Sequence, residues 1–113
     1  FRSMVDDPYR FGRIVAQHSL NDVLAMGGRA TAALAMATVP LMAEAMMEQE
    51  LYWLLRGAVD VLNAHDVPLV GGHSTEGAEL SLALTVAGTP GARVLGKGGL
   101  AAGHRLILTK PLG

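Results

Sequence analysis

Met47, Leu51, Leu54, Leu55, Ala58 and Leu62 recur at helical spacing, with Gln49, Arg56, Asp60 and Asn63 on the opposite side. This stripe predicts an amphipathic helix over 42–64 whose apolar face needs a partner layer. Gly57 lies inside it and marks a close packing contact, because glycine otherwise costs about 1 kcal/mol there relative to alanine.

The partner layer is written in a different period. Leu80, Leu82, Leu84 and Val86 alternate with Ser81, Ala83, Thr85 and Ala87, which predicts a strand over 79–87. From Thr31 to Val39 both alternating faces are apolar: Ala33, Ala35, Ala37 and Val39 on one, Ala32, Leu34 and Met36 on the other. A strand buried on both sides is expected, with an alanine-rich helix as the competing reading, and Pro40 ends it. Upstream, Asp7 as N-cap and Pro8 at the first helical position open a helix that runs to about Met26 and stops at Gly27-Gly28. Its apolar residues Phe11, Ile14, Val15, Val23 and Leu24 approximate helical spacing, while Ala16, Ser19 and Ala25 admit a close neighbour.

Further on, the sequence predicts a short strand over 68–70, a turn-rich segment over 71–77 and a turn over 89–91. A glycine-rich connection over 96–103 and a final strand over 105–109 complete the chain. Helix, strand, helix and three strands make an α+β layering of sheet and helices.

Composition narrows the function classes. The chain has 113 residues, enough for one domain with a core, and half of it is apolar while only 4% is aromatic. Nine basic and ten acidic residues give no electrostatic footprint for nucleic acid or an acidic membrane surface. Without cysteine there is neither a disulfide framework nor a thiolate zinc site. The longest apolar stretch, from Thr31 to Met47, is interrupted by Pro40 and Glu44 and falls short of the roughly 20 residues that span a bilayer. No signal peptide is visible, and with no initiator Met the chain is expected to begin inside a longer protein.

Two places could carry chemistry. Asp22 stands among Leu20, Val23 and Leu24 near the end of the first helix. A carboxylate there needs a partner, either a divalent cation or simply solvent and a neighbouring turn. Gly71-Gly72-His73-Ser74 follows a strand, and successive N–H groups in such a segment can cradle an anion, although a plain turn fits the pattern as well. It matches neither the P-loop nor the dinucleotide fingerprint. His18 and His73 are the histidines nearest these places, while His65 and His104 fall in expected surface turns, and no His spacing marks a zinc site. Ser19, Ser74 and Ser81 have no elbow or base at informative spacing.

Four segments together carry a resemblance. Asp6-Asp7-Pro8-Tyr9-Arg10-Phe11-Gly12-Arg13-Ile14, then Asn21-Asp22-Val23-Leu24-Ala25-Met26-Gly27, resemble the DDP-x-x-x-G-R-I and S-D-x-x-A-M-G stretches of the selenophosphate synthetase family. Leu69 to Gly77 is similar to its V-G-G-H-T-x-E-G, and Leu106 to Gly113 to its L-I-L-T-K-P-L-G. The resemblance implies an aminoimidazole ribonucleotide synthetase-like N-terminal ATP-binding domain over 1–103, lacking its first segment, with 104–113 beginning the C-terminal domain. It implies a mixed or antiparallel sheet with helices packed on one face, and a homodimer formed through that sheet.

The activity so implied is selenide, water dikinase: ATP, selenide and water give selenophosphate, AMP and phosphate. On this resemblance Asp22 binds magnesium and the nucleotide phosphates, and Gly71, Gly72, His73 and Ser74 contact ATP. No catalytic residue falls within the chain, since the family's catalytic Cys or selenocysteine and nearby Lys would precede Phe1. The chain alone is therefore expected to be inactive. A cytoplasmic parent is implied, and the stretch before Asp6 resembles members fused behind an oxidoreductase domain. Three positions depart from the pattern: Asn21 for Ser, Ser74 for Thr and His104 for Asp. Another ATP-dependent enzyme of the same superfamily, of the aminoimidazole ribonucleotide synthetase or thiamine-monophosphate kinase type, and a non-catalytic dimerisation domain are the alternatives.

Overall fold

The computed structural model describes residues 1–108, 110 and 111. Its elements are α1 (Pro8–Ala25), β1 (Arg29–Pro40), α2 (Glu44–Ala64), β2 (Leu69–Gly77) and β3 (Ser81–Thr89).

The ends of α1 form as the local chemistry dictates. Asp7 is the N-cap, its Oδ1 accepting the N–H groups of Tyr9 at 2.9 Å and Arg10 at 3.2 Å, with Pro8 at the start of the helix. At the other end Gly27 takes φ 71°, the Gly28 N–H bonds Val23 O and the Gly27 N–H bonds Leu24 O, which closes a Schellman motif. The same pair of bonds ends α2, where Asp66 and Val67 donate to Asn63 O and Leu62 O. There Asp66 accepts φ 56° in the position glycine usually fills, and Val67 and Leu62 are both buried beneath it.

The sheet has the order β2-β1-β3, with β1 parallel to β2 and antiparallel to β3. Parallel pairing of β1 with β2 is possible because α2 carries the chain back across the sheet. Phe1 to Ser3 run beside the start of β3, where Ser3 N–H bonds Leu80 O at 2.9 Å and Leu82 N–H bonds Phe1 O at 3.0 Å. Both helices cover one face. Phe11, Val15, Ala16 and Leu20 of α1 and Leu54, Ala58 and Leu62 of α2 join Ala33, Ala35, Ala37 and Leu82 in one core.

Two glycines set the distance between the helices. A Cβ on Gly12 would run into the Leu54 carbonyl oxygen, and one on Gly57 into the Tyr9 carbonyl oxygen. The close contact expected at Gly57 is therefore real, and Gly12 answers it from the facing helix. Tyr9 Oη donates to Asp60 Oδ2 at 3.0 Å across the same seam.

The α+β class, the mixed sheet and the one-sided helical layer are as the sequence implies. Four local expectations are corrected. The strand over β1 is buried on one side only: Leu34 and Met36 are 47% and 57% exposed, because no layer covers the second face among the described residues. The segment 71–77 is no turn but most of β2, held extended by pairing with residues 34–40 of β1. Residues 105–108 form no strand and are exposed, since no strand edge pairs with them; Thr109 of that predicted strand, with Leu112 and Gly113, lies outside the described residues. The predicted helix start at 42 moves to Glu44.

Gly57→Ala is expected to destabilise the fold by about 1–3 kcal/mol in spite of alanine's higher helix propensity, because the new methyl meets backbone rather than a mobile side chain. Urea unfolding checks this against Gly98→Ala, where a Cβ meets nothing within 4 Å and stability should hold within about 0.5 kcal/mol.

Candidate functional site

Gly71, Gly72, His73 and Ser74 stand on β2 opposite Leu34, Ala35, Met36 and Ala37 of β1. Because side chains alternate along a strand, the four do not share a side. Gly72 and Ser74 belong to the helix face with the buried Ala35 and Ala37, whereas Gly71 and His73 belong to the open face with Leu34 and Met36. Just before them the register shifts: Ala33 pairs with Leu69 and Leu34 with Gly71, so Val70 is an extra, bulged residue. Gly72 then passes so close to β1 that a Cβ would strike the Ala35 carbonyl oxygen, at a φ of 153°. Glycine at this position is a requirement of the sheet itself.

All four residues are exposed and line an open groove of about 400 Å³ walled by Leu51 and Leu55 of α2. A neighbouring groove shares Ser74 and Leu51 and adds Glu44, Glu48 and Glu76. Among the described residues β2 pairs only with β1, so part of its backbone N–H and C=O groups face outward along the other edge. Those donors and the Ser74 hydroxyl are what this segment can offer an anion. The α2 wall and the acidic rim were not visible in the sequence, because the two glycines blurred the period-two pattern that would have placed β2 beside the helix.

Asp22 sits elsewhere, in the last turn of α1, and lines neither groove. It is exposed, and its side chain has no hydrogen bond or ion pair among the described residues. Its neighbour Asn21 is engaged, accepting from Gln17 Nε2 at 3.0 Å. The last turn of α1 holds no basic residue, so the Asp22 carboxylate stands at the negative end of the helix dipole without a cation in that turn.

Among the described residues no three His, Cys, Asp or Glu side chains come together to hold a metal. A lone exposed carboxylate does fit magnesium, which takes one or two protein carboxylates and completes its shell with phosphate oxygens and water. The other histidines have local contacts. His18 meets the Phe1 ring edge-on at 4.9 Å, His65 ends α2, and His104 Nδ1 accepts the Ala101 N–H at 3.3 Å.

Residues 1–89 match the family model of AIR synthase related protein, N-terminal domain. The chain is 42% identical, over its whole length, to a selenide, water dikinase of Nitratidesulfovibrio vulgaris, of which it covers 32%. It is 44% identical, over 97% of its length, to the selenide, water dikinase of Geobacter metallireducens, again covering 32% of that protein. The chain thus spans about a third of the curated relatives it matches. Among solved structures, thiamine monophosphate kinase from Aquifex aeolicus superposes with a TM-score of 0.72 over 85% of this chain and 33% of that one, at 18% identity. At that identity the likeness concerns the fold.

Asp22→Asn is expected to leave the nucleotide-free protein as stable as before or to raise its stability by about 0.3–1 kcal/mol, because it removes an unpaired charge from the wrong end of a helix. Thermal unfolding at low ionic strength would register this; a marked loss of stability would show that Asp22 has a structural partner.

Proposed function

Because this chain belongs to the AIR synthase related protein family as its N-terminal domain, we propose that it is the ATP-binding part of a selenophosphate synthetase. The parent would convert ATP, selenide and water to selenophosphate, AMP and phosphate. The observation that carries this reading is identity of 42% and 44%, over essentially the whole chain, to proteins named selenide, water dikinase. The kinase superposed above shares the architecture at 18% identity and does not favour a thiamine phosphate substrate.

Asp22 is the proposed magnesium ligand. Its exposure and its place at an uncompensated helix end support the role, since a cation there relieves the repulsion. Bound magnesium would supply charge neutralisation for the triphosphate. Gly71, Gly72, His73 and Ser74 are the proposed nucleotide contacts, offering outward backbone N–H groups and a hydroxyl from a strand edge. Asp22 and this strand line different surfaces, so a single nucleotide touching both would draw on further segments or on a second copy. A homodimer through the uncovered sheet face accords with this, because Leu34 and Met36 leave that face apolar, at 47% and 57% exposed. No helix of the described residues is long and apolar enough to cross a membrane.

Calorimetric titration of the full-length parent with ATP, with and without magnesium, tests the reading. Magnesium-dependent binding that weakens about tenfold or more in Asp22→Asn is the expected result. Unchanged affinity in that variant would remove Asp22 from the site and favour a domain that kept the fold for dimerisation. AMP release independent of selenide would instead move the parent to another phosphoryl acceptor.

A further inference from the structure

The strand register sorts the residues of the sheet between its two faces. The uncovered face takes the even-numbered residues of β1 from Ala32 to Pro40, and the odd-numbered residues of β2 from Gly71 to Gly77 and of β3 from Ser81 to Ala87. None of these is Asp, Glu, Lys or Arg. The one titratable side chain among them is His73, which is exposed and pairs with Met36 of the middle strand.

Charge begins only at the margins. Arg2 stands opposite Ser81 on the far side of β3, where it meets Glu79 at 3.5 Å. That margin is three strand spacings from His73, about 14 Å. Arg29 stands opposite Thr89 at the start of β1, on the order of 20 Å along the strand from Met36. Glu76 lies in the groove on the helix side of β2, and both helices pack on that other face. Among the described residues, then, neither β1 nor β3 turns a carboxylate or a cation toward the His73 imidazole.

A face without formal charge suits a symmetric self-contact, because each patch meets its own copy and any charge would meet its like. The homodimer proposed above uses this face, and the inference drawn here rests on that reading. His73 lies one strand from Met36, so two copies closing on Leu34 and Met36 also draw two imidazoles out of water. A neutral imidazole enters such a contact at modest cost, whereas an imidazolium brings in a charge that has no partner there. Histidine is the side chain whose charge ordinarily changes between about pH 5 and 8. The closed dimer therefore holds fewer protons than two separated chains, and by linkage association weakens as pH falls.

We infer that His73 makes the sheet-to-sheet dimer pH-sensitive, closed while the imidazole is neutral and opened when it takes up a proton. Sedimentation equilibrium of the full chain without nucleotide, at about pH 8 and about pH 5.5, tests this. The dimer dissociation constant should rise about tenfold or more at the lower pH. In His73→Gln, whose side chain stays polar but does not titrate, the constants at the two pH values should agree. His65→Gln, at the end of α2, should respond to pH as the unaltered chain does. Leu34→Lys, which sets a charge in the middle of the face, should leave monomers at both pH values. Monomers throughout in the unaltered chain, or a dimer that survives Leu34→Lys, would remove the homodimer reading and this inference with it. Equal constants at both pH values, or a rise that persists in His73→Gln, would overturn the pH inference alone and leave the dimer standing.

Discussion

The reciprocal contact of Gly12 with the Leu54 carbonyl and of Gly57 with the Tyr9 carbonyl fixes how near two helix backbones can come, and the rest of the molecule is built at that spacing. Close helices need thin side chains between them and the sheet. The core accordingly uses Ala16, Ala33, Ala35, Ala37 and Ala58, with Phe11 as its one buried aromatic residue. Larger side chains at the seam would part the helices and open voids above β1, and each missing contact there would cost dispersion energy that a core of alanines cannot make up elsewhere.

That spacing also determines where reactive groups can stand. β1 is the middle strand and receives both helices on one face, so its alanines serve as floor and its neighbours carry the polar residues. Among the described residues β2 leaves one edge unpaired and carries a glycine, Gly72, that lies close against Ala35. The opposite face of the same sheet keeps Leu34 and Met36 in the open, a surface suited to association rather than to chemistry.

Much of this was legible in the residues. Asp7-Pro8 and Gly27-Gly28 bounded α1, the stripe from Met47 to Leu62 placed α2, and the alternation from Leu80 to Ala87 placed β3. β2 was legible only in part, because glycine carries no side chain to show a period and Gly71-Gly72 is as common in turns as in bulged strands. Parallel pairing across α2, a long-range term, settled its conformation. For β1, apolar residues on both faces suggested two covering layers, but the helices cover one face and leave Leu34 and Met36 exposed on the other. The site residues were picked out by resemblance more than by pattern. Only the structure shows that the strand holding four of them divides them between two faces, and that Asp22 stands apart.

The lone carboxylate at the C-terminal end of α1 has a practical consequence for engineering. Selection for heat resistance would act on folding alone and would reward replacement of Asp22 by a neutral helix-forming side chain, which avoids a negative charge at that end. If the residue holds a cation, a library enriched that way would drift toward sturdy proteins that have lost their ligand. The hottest survivors would then be the poorest starting points for activity.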